Sequence, residues 1–156
     1  MPTVSDRKKG LIFVALQGLL LALIVLRAIA CYDRLFDWNP VTILGWLLFC
    51  VGGLFSLYSA MFMGKLLTPL PIPINNHQLI TNGPFSVVRH PIYLGLVMSA
   101  VGVSFMAVDT GLALLAIALF ALLNVKSRFE ESLLCFLYPH YADYQKKVKR
   151  LIPLLF

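Results

Sequence analysis

Charged residues are scarce in this sequence of 156 residues, where Asp, Glu, Lys and Arg together make up 13%. Hydrophobic residues account for 60%, and long uncharged runs separate the few clusters of charge. A soluble domain of this size needs a larger polar surface. The composition therefore excludes a soluble globular protein and predicts an integral membrane protein with a single domain, residues 1–156.

Acidic residues are rarer than basic ones, with 7 Asp and Glu against 13 Lys and Arg, for a net charge of +6. The basic residues flank apolar runs and form no stripe with interleaved aromatic residues, which argues against nucleic acid as a partner. Anionic headgroups of membrane lipids are the expected partners.

Residues that ligate metals are also few, with 3 cysteines and 3 histidines in the chain. The cysteines lie far apart, and no histidine spacing resembles that of a zinc site. We therefore expect no metal site, and we expect ordinary packing roles for Cys31, Cys50 and Cys135.

Four apolar runs have the length of membrane spans, namely residues 10–30, 41–63, 91–108 and 110–125. Only Asp109 separates the last two, which predicts a tight helical hairpin. If the N-terminus is cytoplasmic, eleven basic residues fall on the cytoplasmic side and two, Arg27 and Arg34, on the other. This bias predicts an all-α membrane protein whose termini both face the cytoplasm.

Two cytoplasmic segments lie outside these runs. Residues 64–90 contain more prolines than a helix tolerates, so this segment is predicted to be a binding loop or lid. Residues 126–156 begin as a continuation of the fourth helix. Their apolar side chains at helical spacing predict an interfacial helix on the membrane surface and include Leu133, Leu134 and Leu137.

The stretch RHPIYLG joins the loop to the third run. A residue before proline disfavours the helical conformation, and Pro91 suits the first position of a helix. Free backbone N–H groups at such a helix start attract an anion, and Arg89 adds positive charge beside them. Taken alone, Arg89 and His90 could equally anchor a helix end in the headgroups.

A second candidate is the stretch NVKSRFEESLL, in which two glutamates follow a span. Lys126 precedes Glu130 by four residues and Arg128 precedes Glu131 by three, so local ion pairs on a solvated helix face would explain them. A short hairpin, however, brings His90 and Lys126 to the same membrane face. Polar groups that converge beside an apolar wall predict a binding pocket.

The stretch HQLITNGPFSVVRHPIYLG, followed later by RFEESLL and YPHYADYQKKVKRLIP, resembles the isoprenylcysteine carboxyl methyltransferase and phospholipid methyltransferase superfamily. Both motifs occur in the family's order between residues 79 and 153. The resemblance implies a methyltransferase that uses S-adenosylmethionine at the cytoplasmic membrane surface. It implies a lipid-linked acceptor, such as a small molecule with a lipid tail or a prenylated cysteine.

The resemblance also implies the site residues. The family's cofactor shell corresponds to one set of positions in the loop, the third span and the glutamate pair: His77, Gln78, Leu79, Ile80, Phe85, His90, Pro91, Ile92, Tyr93 and Glu130. Arg89 joins this set because its charge suits the cofactor's carboxylate. Glu131 and Arg128 are the expected catalytic residues, with Lys126 competing with Arg128 for the role of orienting the substrate. Phe85 stands where the family usually has tyrosine.

Several functions remain open at this point. A carboxylate acceptor needs a cation to orient it and no base, and the nearby Arg128 favours carboxyl O-methylation of isoprenylcysteine type. A phospholipid amine must lose a proton, for which Glu131 would serve. A small membrane transporter or scaffold is a different class, and GWLLFCVGG offers it small residues for helix packing. A membrane reductase is a third class and would require nicotinamide binding.

Overall fold

The computed structural model describes residues 4–67 and 79–153. Within these residues the chain forms five α-helices and no regular β-strand. The helices are α1 (Val4–Ala30), α2 (Pro40–Met63), α3 (Pro91–Ala107), α4 (Thr110–Leu137) and α5 (Tyr141–Lys147). The predicted all-α fold is confirmed.

Three of these helices, α1, α2 and α4, are long and apolar enough to cross a membrane. The α3 helix is apolar as well, but its 17 residues extend over about 25 Å, somewhat less than the roughly 30 Å hydrocarbon core. The chain is therefore an integral membrane protein, as predicted. The third expected span corresponds to α3, which is shorter than α1, α2 and α4.

Polar residues and a left-handed residue set the ends of the helices. Asn39 caps α2 by accepting hydrogen bonds from the backbone N–H groups of Val41 and Thr42. Val108 ends α3 in the left-handed region, with φ of 46°, and Asp109 then accepts the Leu112 N–H at 2.9 Å to cap α4. Two residues thus connect α3 to α4, which makes the hairpin tight.

The α2 and α3 helices pack with their backbones almost in contact. A Cβ atom added at Gly52 would lie 2.7 Å from the carbonyl oxygen of Gly95, and one at Gly102 would lie 2.5 Å from the backbone nitrogen of Phe49. Small residues allow this close approach, which is common between membrane helices. The small residues of GWLLFCVGG therefore hold helices of the same chain together.

The α1 and α4 helices run antiparallel and contact each other near both ends. At one end, Arg27 donates two hydrogen bonds to Asp109, at 3.2 Å from Nε and 2.9 Å from a terminal nitrogen. This guanidinium holds the pKa of Asp109 at about 2. At the other end, the rings of Phe13 and Phe129 lie 5.7 Å apart. These contacts fix the position of α1 relative to α4 along the helix axes.

The segment after residue 125 differs in part from the sequence prediction. The α4 helix continues without a break to Leu137, so the predicted leucines belong to it, and the seven-residue α5 follows as a separate helix. The chain then returns to the start of α3. There, the backbone N–H of Arg89 donates to the Lys149 carbonyl at 2.8 Å, and that of His90 donates to the Arg150 carbonyl at 3.1 Å.

Candidate functional site

The junction before α3 has the conformation expected from its sequence. A short 3-10 turn, Gly83–Ser86, leads into fully buried Val88, and His90 is the last residue before the helix with φ of −125°. Pro91 occupies the first helical position. The first backbone hydrogen bond of α3 runs from the Leu94 N–H to the His90 carbonyl at 3.1 Å. The N–H groups before Leu94 therefore lack a helical partner.

Glu131 lies at the centre of a buried polar cluster, and its side chain is 7% exposed. Arg89 donates to its two carboxylate oxygens at 2.6 and 3.0 Å, and Gln145 of α5 donates at 3.0 Å. The His90 Nε2 atom lies 3.1 Å from the same carboxylate. The partners of Glu131 thus come from the α3 junction and from α5.

Arg89 is largely occupied by protein groups. Besides its two bonds to Glu131, it donates to the backbone carbonyls of Gln145, at 3.0 Å, and Val148. These four hydrogen bonds use most of the five N–H groups of a guanidinium. Arg89 therefore orients Glu131 within the site, and it also holds the C-terminal segment against the site through the carbonyls of Gln145 and Val148.

Glu130 faces the other side of the His90 ring. Its Oε2 atom lies 3.5 Å from His90 Nδ1, and its Oε1 atom accepts the Tyr93 hydroxyl at 2.5 Å. The rings of His90 and Tyr93 stack at 5.4 Å between centroids, with 7° between their planes. His90 therefore lies between two carboxylates.

Lys126 extends the cluster into the helix bundle. Its side chain is almost entirely buried, with 4% of the residue exposed, and its ammonium lies 5.1 Å from the centroid of the Tyr93 ring. The ammonium donates to the Gln17 side-chain oxygen of α1 at 2.8 Å. Gln17 was not predicted from the sequence as a site residue, although it is the only residue with a polar side chain between Gly10 and Leu26.

Arg128 lies apart from this cluster. It is two residues from both Lys126 and Glu130, or about 200° around the helix, because each residue turns an α-helix by about 100°. Its side chain is exposed and lines a groove between α1 and α4 together with Lys9. Of the two basic residues that compete from sequence, Lys126 is the one in the polar cluster.

The remaining predicted residues lie around the α3 junction. Phe85 is buried, and its ring packs near that of Phe62. Pro91 is buried as well. The Ile92 carbonyl accepts a hydrogen bond from the Ser56 hydroxyl at 3.2 Å. Leu79 and Ile80 are half-buried. The predicted cofactor residues His77 and Gln78 lie outside the described residues.

Two tyrosines of α5 support the cluster and were not among the predicted site residues. The Tyr144 hydroxyl donates to the Phe85 carbonyl at 2.5 Å, which ties α5 to the loop before α3. Burial raises the pKa of Tyr144 to about 12, and it also raises the pKa of Tyr141. Both phenols therefore remain protonated near neutral pH. The sequence signal for them was the YPHYADY stretch, which could equally indicate interfacial anchors.

No group of three or more His, Cys, Asp or Glu side chains is arranged to hold a metal ion in the part of the chain that the structure describes. The polar cluster is instead a pair of carboxylates in contact with Arg89 and His90, with the Lys126 ammonium nearby over the Tyr93 ring. Such a set suits an organic ligand that carries both charges.

Comparison with known proteins relates this arrangement to a family and to two curated proteins. The family described as phospholipid methyltransferase matches residues 40–140, from the start of α2 to three residues beyond the end of α4. The cobalt-zinc-cadmium resistance protein CzcN of Cupriavidus metallidurans is 30% identical over 81 residues, which is 51% of this chain and 38% of CzcN. The nickel-cobalt-cadmium resistance protein NccN of Alcaligenes xylosoxydans xylosoxydans is 33% identical over 79 residues, which is 50% of this chain and 37% of NccN. Each alignment thus spans well under half of the relative's length.

Proposed function

The chain belongs to the phospholipid methyltransferase family, and on that premise we propose that it transfers a methyl group from S-adenosylmethionine to a lipid-linked acceptor. We also propose that both termini face the cytoplasm, as the distribution of basic residues predicts. The site at the start of α3 then opens toward the cytoplasmic surface of the membrane. The observation that carries the proposal is the placement of His90 between Glu130 and Glu131 at this helix start.

The charges around the site fit those of S-adenosylmethionine, which carries an ammonium, a carboxylate and a sulfonium. Glu130 is the better partner for the ammonium, because Arg89 already neutralises Glu131. The N–H groups of Ile92 and Tyr93 precede the first helical hydrogen bond of α3, so they suit the carboxylate. Leu79 and Ile80, half-buried at the end of the loop, would then cover the adenine.

The acceptor requires a further charged group, and Lys126 is best suited to provide it. A carboxylate of a lipidated cysteine is ionised near neutral pH, since an α-carboxyl has a reference pKa of about 3.3–3.7. The buried ammonium of Lys126, beside Tyr93, would orient such a carboxylate. Arg128, predicted from sequence for this role, is exposed. We therefore propose Lys126 as the residue that orients the acceptor.

The proposed reaction is an in-line displacement at the methyl carbon. The carboxylate oxygen forms a bond to this carbon while the bond from carbon to sulfur breaks, and sulfur keeps the electron pair. The products are a methyl ester and S-adenosylhomocysteine, and no proton is transferred. The protein contributes alignment and exclusion of water. Glu131 is engaged by Arg89, His90 and Gln145, which makes it a poor proton acceptor and supports a carboxylate over an amine as the methyl acceptor.

N-methylation of a phospholipid amine is the second candidate, and the description of the matching family favours it. This reaction requires a base for the proton that leaves the amine. Glu130 would be available for this role, because it pairs with no guanidinium in the described part of the chain. The nature of the methylated product distinguishes the two acceptors.

Loss of cofactor contacts should weaken binding of S-adenosylmethionine to the protein in detergent micelles. Glu130→Gln and His90→Ala should each lower the affinity about tenfold to a hundredfold, because a charge-assisted hydrogen bond contributes about 1.5–3 kcal/mol. Titration calorimetry gives the dissociation constant. Cys50→Ala, on the exposed surface of α2, is the control and should bind normally. Unchanged affinity in both site variants would refute the site, and a wild-type protein without binding would favour a scaffold.

The acceptor can be identified with a methyl-labelled cofactor and two candidate lipids. We expect label to enter a farnesylated cysteine analogue as an ester that base cleaves, and little label to enter phosphatidylethanolamine. Lys126→Gln should lower this transfer at least tenfold, because the carboxylate loses its charged partner. Label found only in a base-stable amine would refute the carboxylate proposal and leave methyl transfer intact. If Arg128→Gln lowered methyl transfer as much as Lys126→Gln does, the orienting role could not be assigned to Lys126 alone, and Arg128 would share it.

A further inference from the structure

A groove between α1 and α4 is separate from the cluster around His90. Three residues of each helix line it: Lys9, Ile12, Phe13, Val125, Arg128 and Phe129. Its volume is about 430 Å³, which lies within the roughly 300–1,000 Å³ typical of small-molecule sites. The contact between Phe13 and Phe129 joins the two helices at this height.

The lining residues divide into two charged groups and four apolar ones. Lys9 and Arg128 are both exposed, and no acidic residue lines the groove. Ile12 is 58% exposed and Val125 is 54% exposed, so the described chain leaves both apolar side chains largely uncovered. The groove therefore combines two exposed positive charges with an apolar surface.

The order of these residues along the helices matches the layers of a bilayer. Lys9 is the last charged residue before the apolar run of α1, so it lies at the level of the headgroups. Ile12 follows it by three residues, or about 4.5 Å along the helix, and Val125 lies equally far from Arg128 on α4. Because the helices are antiparallel, both apolar residues lie on the hydrocarbon side of the two cations.

We propose that this groove binds one anionic phospholipid. Lys9 and Arg128 hold its phosphate, for which the planar guanidinium provides two parallel donors, and one acyl chain lies along Ile12 and Val125. A zwitterionic lipid carries a cation of its own beside the phosphate, so the two basic residues favour a lipid with net negative charge. This inference does not depend on methyl transfer.

The test is native mass spectrometry of the purified full-length protein, titrated in detergent with phosphatidylglycerol or phosphatidylcholine. We expect one phosphatidylglycerol to bind with clear preference over phosphatidylcholine. The double variant Lys9→Gln/Arg128→Gln should bind phosphatidylglycerol on the order of thirtyfold more weakly, since each basic residue near an anionic surface contributes about 1 kcal/mol. Ile12→Trp should also weaken binding, because it fills the groove without a change of charge.

The matched control is Arg7→Gln/Lys8→Gln, which also removes two positive charges but takes both from the start of α1, at residues that do not line the groove. This control should keep most of the wild-type affinity. Equal losses in the two double variants would overturn the proposal, because they would indicate diffuse attraction between the basic surface and the lipid. Equal binding of both lipids by the wild type would overturn it as well.

Discussion

Replacing Glu131 by alanine should lower the free energy of unfolding by about 3–5 kcal/mol, because it leaves buried cationic and polar partners without their carboxylate. Arg89 would lose two hydrogen bonds, and His90 and Gln145 one contact each. Since these partners belong to the α3 junction and to α5, the change should also release the C-terminal segment from the site. Unfolding in detergent, followed by circular dichroism, measures the loss.

The control for this prediction is Ser132→Ala, the next residue on α4, which is exposed and should change stability by less than about 0.5 kcal/mol. Arg89→Ala should destabilise the protein strongly as well. The double variant with Glu131→Ala should cost less than the sum of the two single changes, because the residues share one interaction. Additive losses would show that the buried pair is not coupled.

Replacing Gly52 by alanine should destabilise the protein by about 3 kcal/mol or more, at or above the upper end of typical overpacking effects. The new Cβ would lie 2.7 Å from the Gly95 carbonyl oxygen and 2.8 Å from the Ser99 nitrogen. Both are backbone atoms of α3, so no side-chain rotation relieves the contact. The helices must separate, which shifts the α3 junction and should weaken cofactor binding.

The neighbouring residue provides the control for this prediction. A Cβ at Gly53 has its nearest atom, the Ser99 hydroxyl oxygen, at 3.8 Å, which is ordinary contact. Gly53→Ala should therefore be neutral or slightly stabilising, since alanine favours a helix over glycine by about 1 kcal/mol. The two variants are compared by two measurements in detergent. These are the yield of monodisperse protein in size-exclusion chromatography and the midpoint of unfolding. Similar behaviour of both would contradict the close packing of α2 against α3.

Much of the fold could be predicted because hydropathy reports directly on contact with lipid. Runs of apolar residues gave the approximate extents of α1, α2, α3 and the first part of α4. Hydropathy cannot report where a helix ends once it leaves the hydrocarbon. Residues 126–137 are polar enough to end the apolar run, yet they continue the hydrogen-bonded helix to Leu137.

The site was predictable where the sequence carries local signals. The proline after His90 marked a helix start, and the paired glutamates stood out beside a span. Because a short hairpin joins the two spans, the sequence also predicted that His90 and the glutamates lie close together. The partners Gln17 and Gln145 could not be predicted, because their contacts depend on how α1 and α5 are rotated against α4. The choice between Lys126 and Arg128 also required the rotation of α4 relative to α3.

The unbroken α4 helix mechanically connects the two surfaces of the bilayer. Asp109, fixed to Arg27, caps one end, and Glu131 lies 22 residues later, or about 33 Å along the axis. Beyond Gly111 the helix contains neither proline nor glycine, so it lacks the usual sites of bending. A tilt of about 5° that pivots at Asp109 moves Glu131 by about 3 Å, the length of a hydrogen bond. We therefore expect any change in the tilt of α4 to have a large effect at the carboxylates beside His90, which lie at the far end of the helix from the Arg27–Asp109 pair.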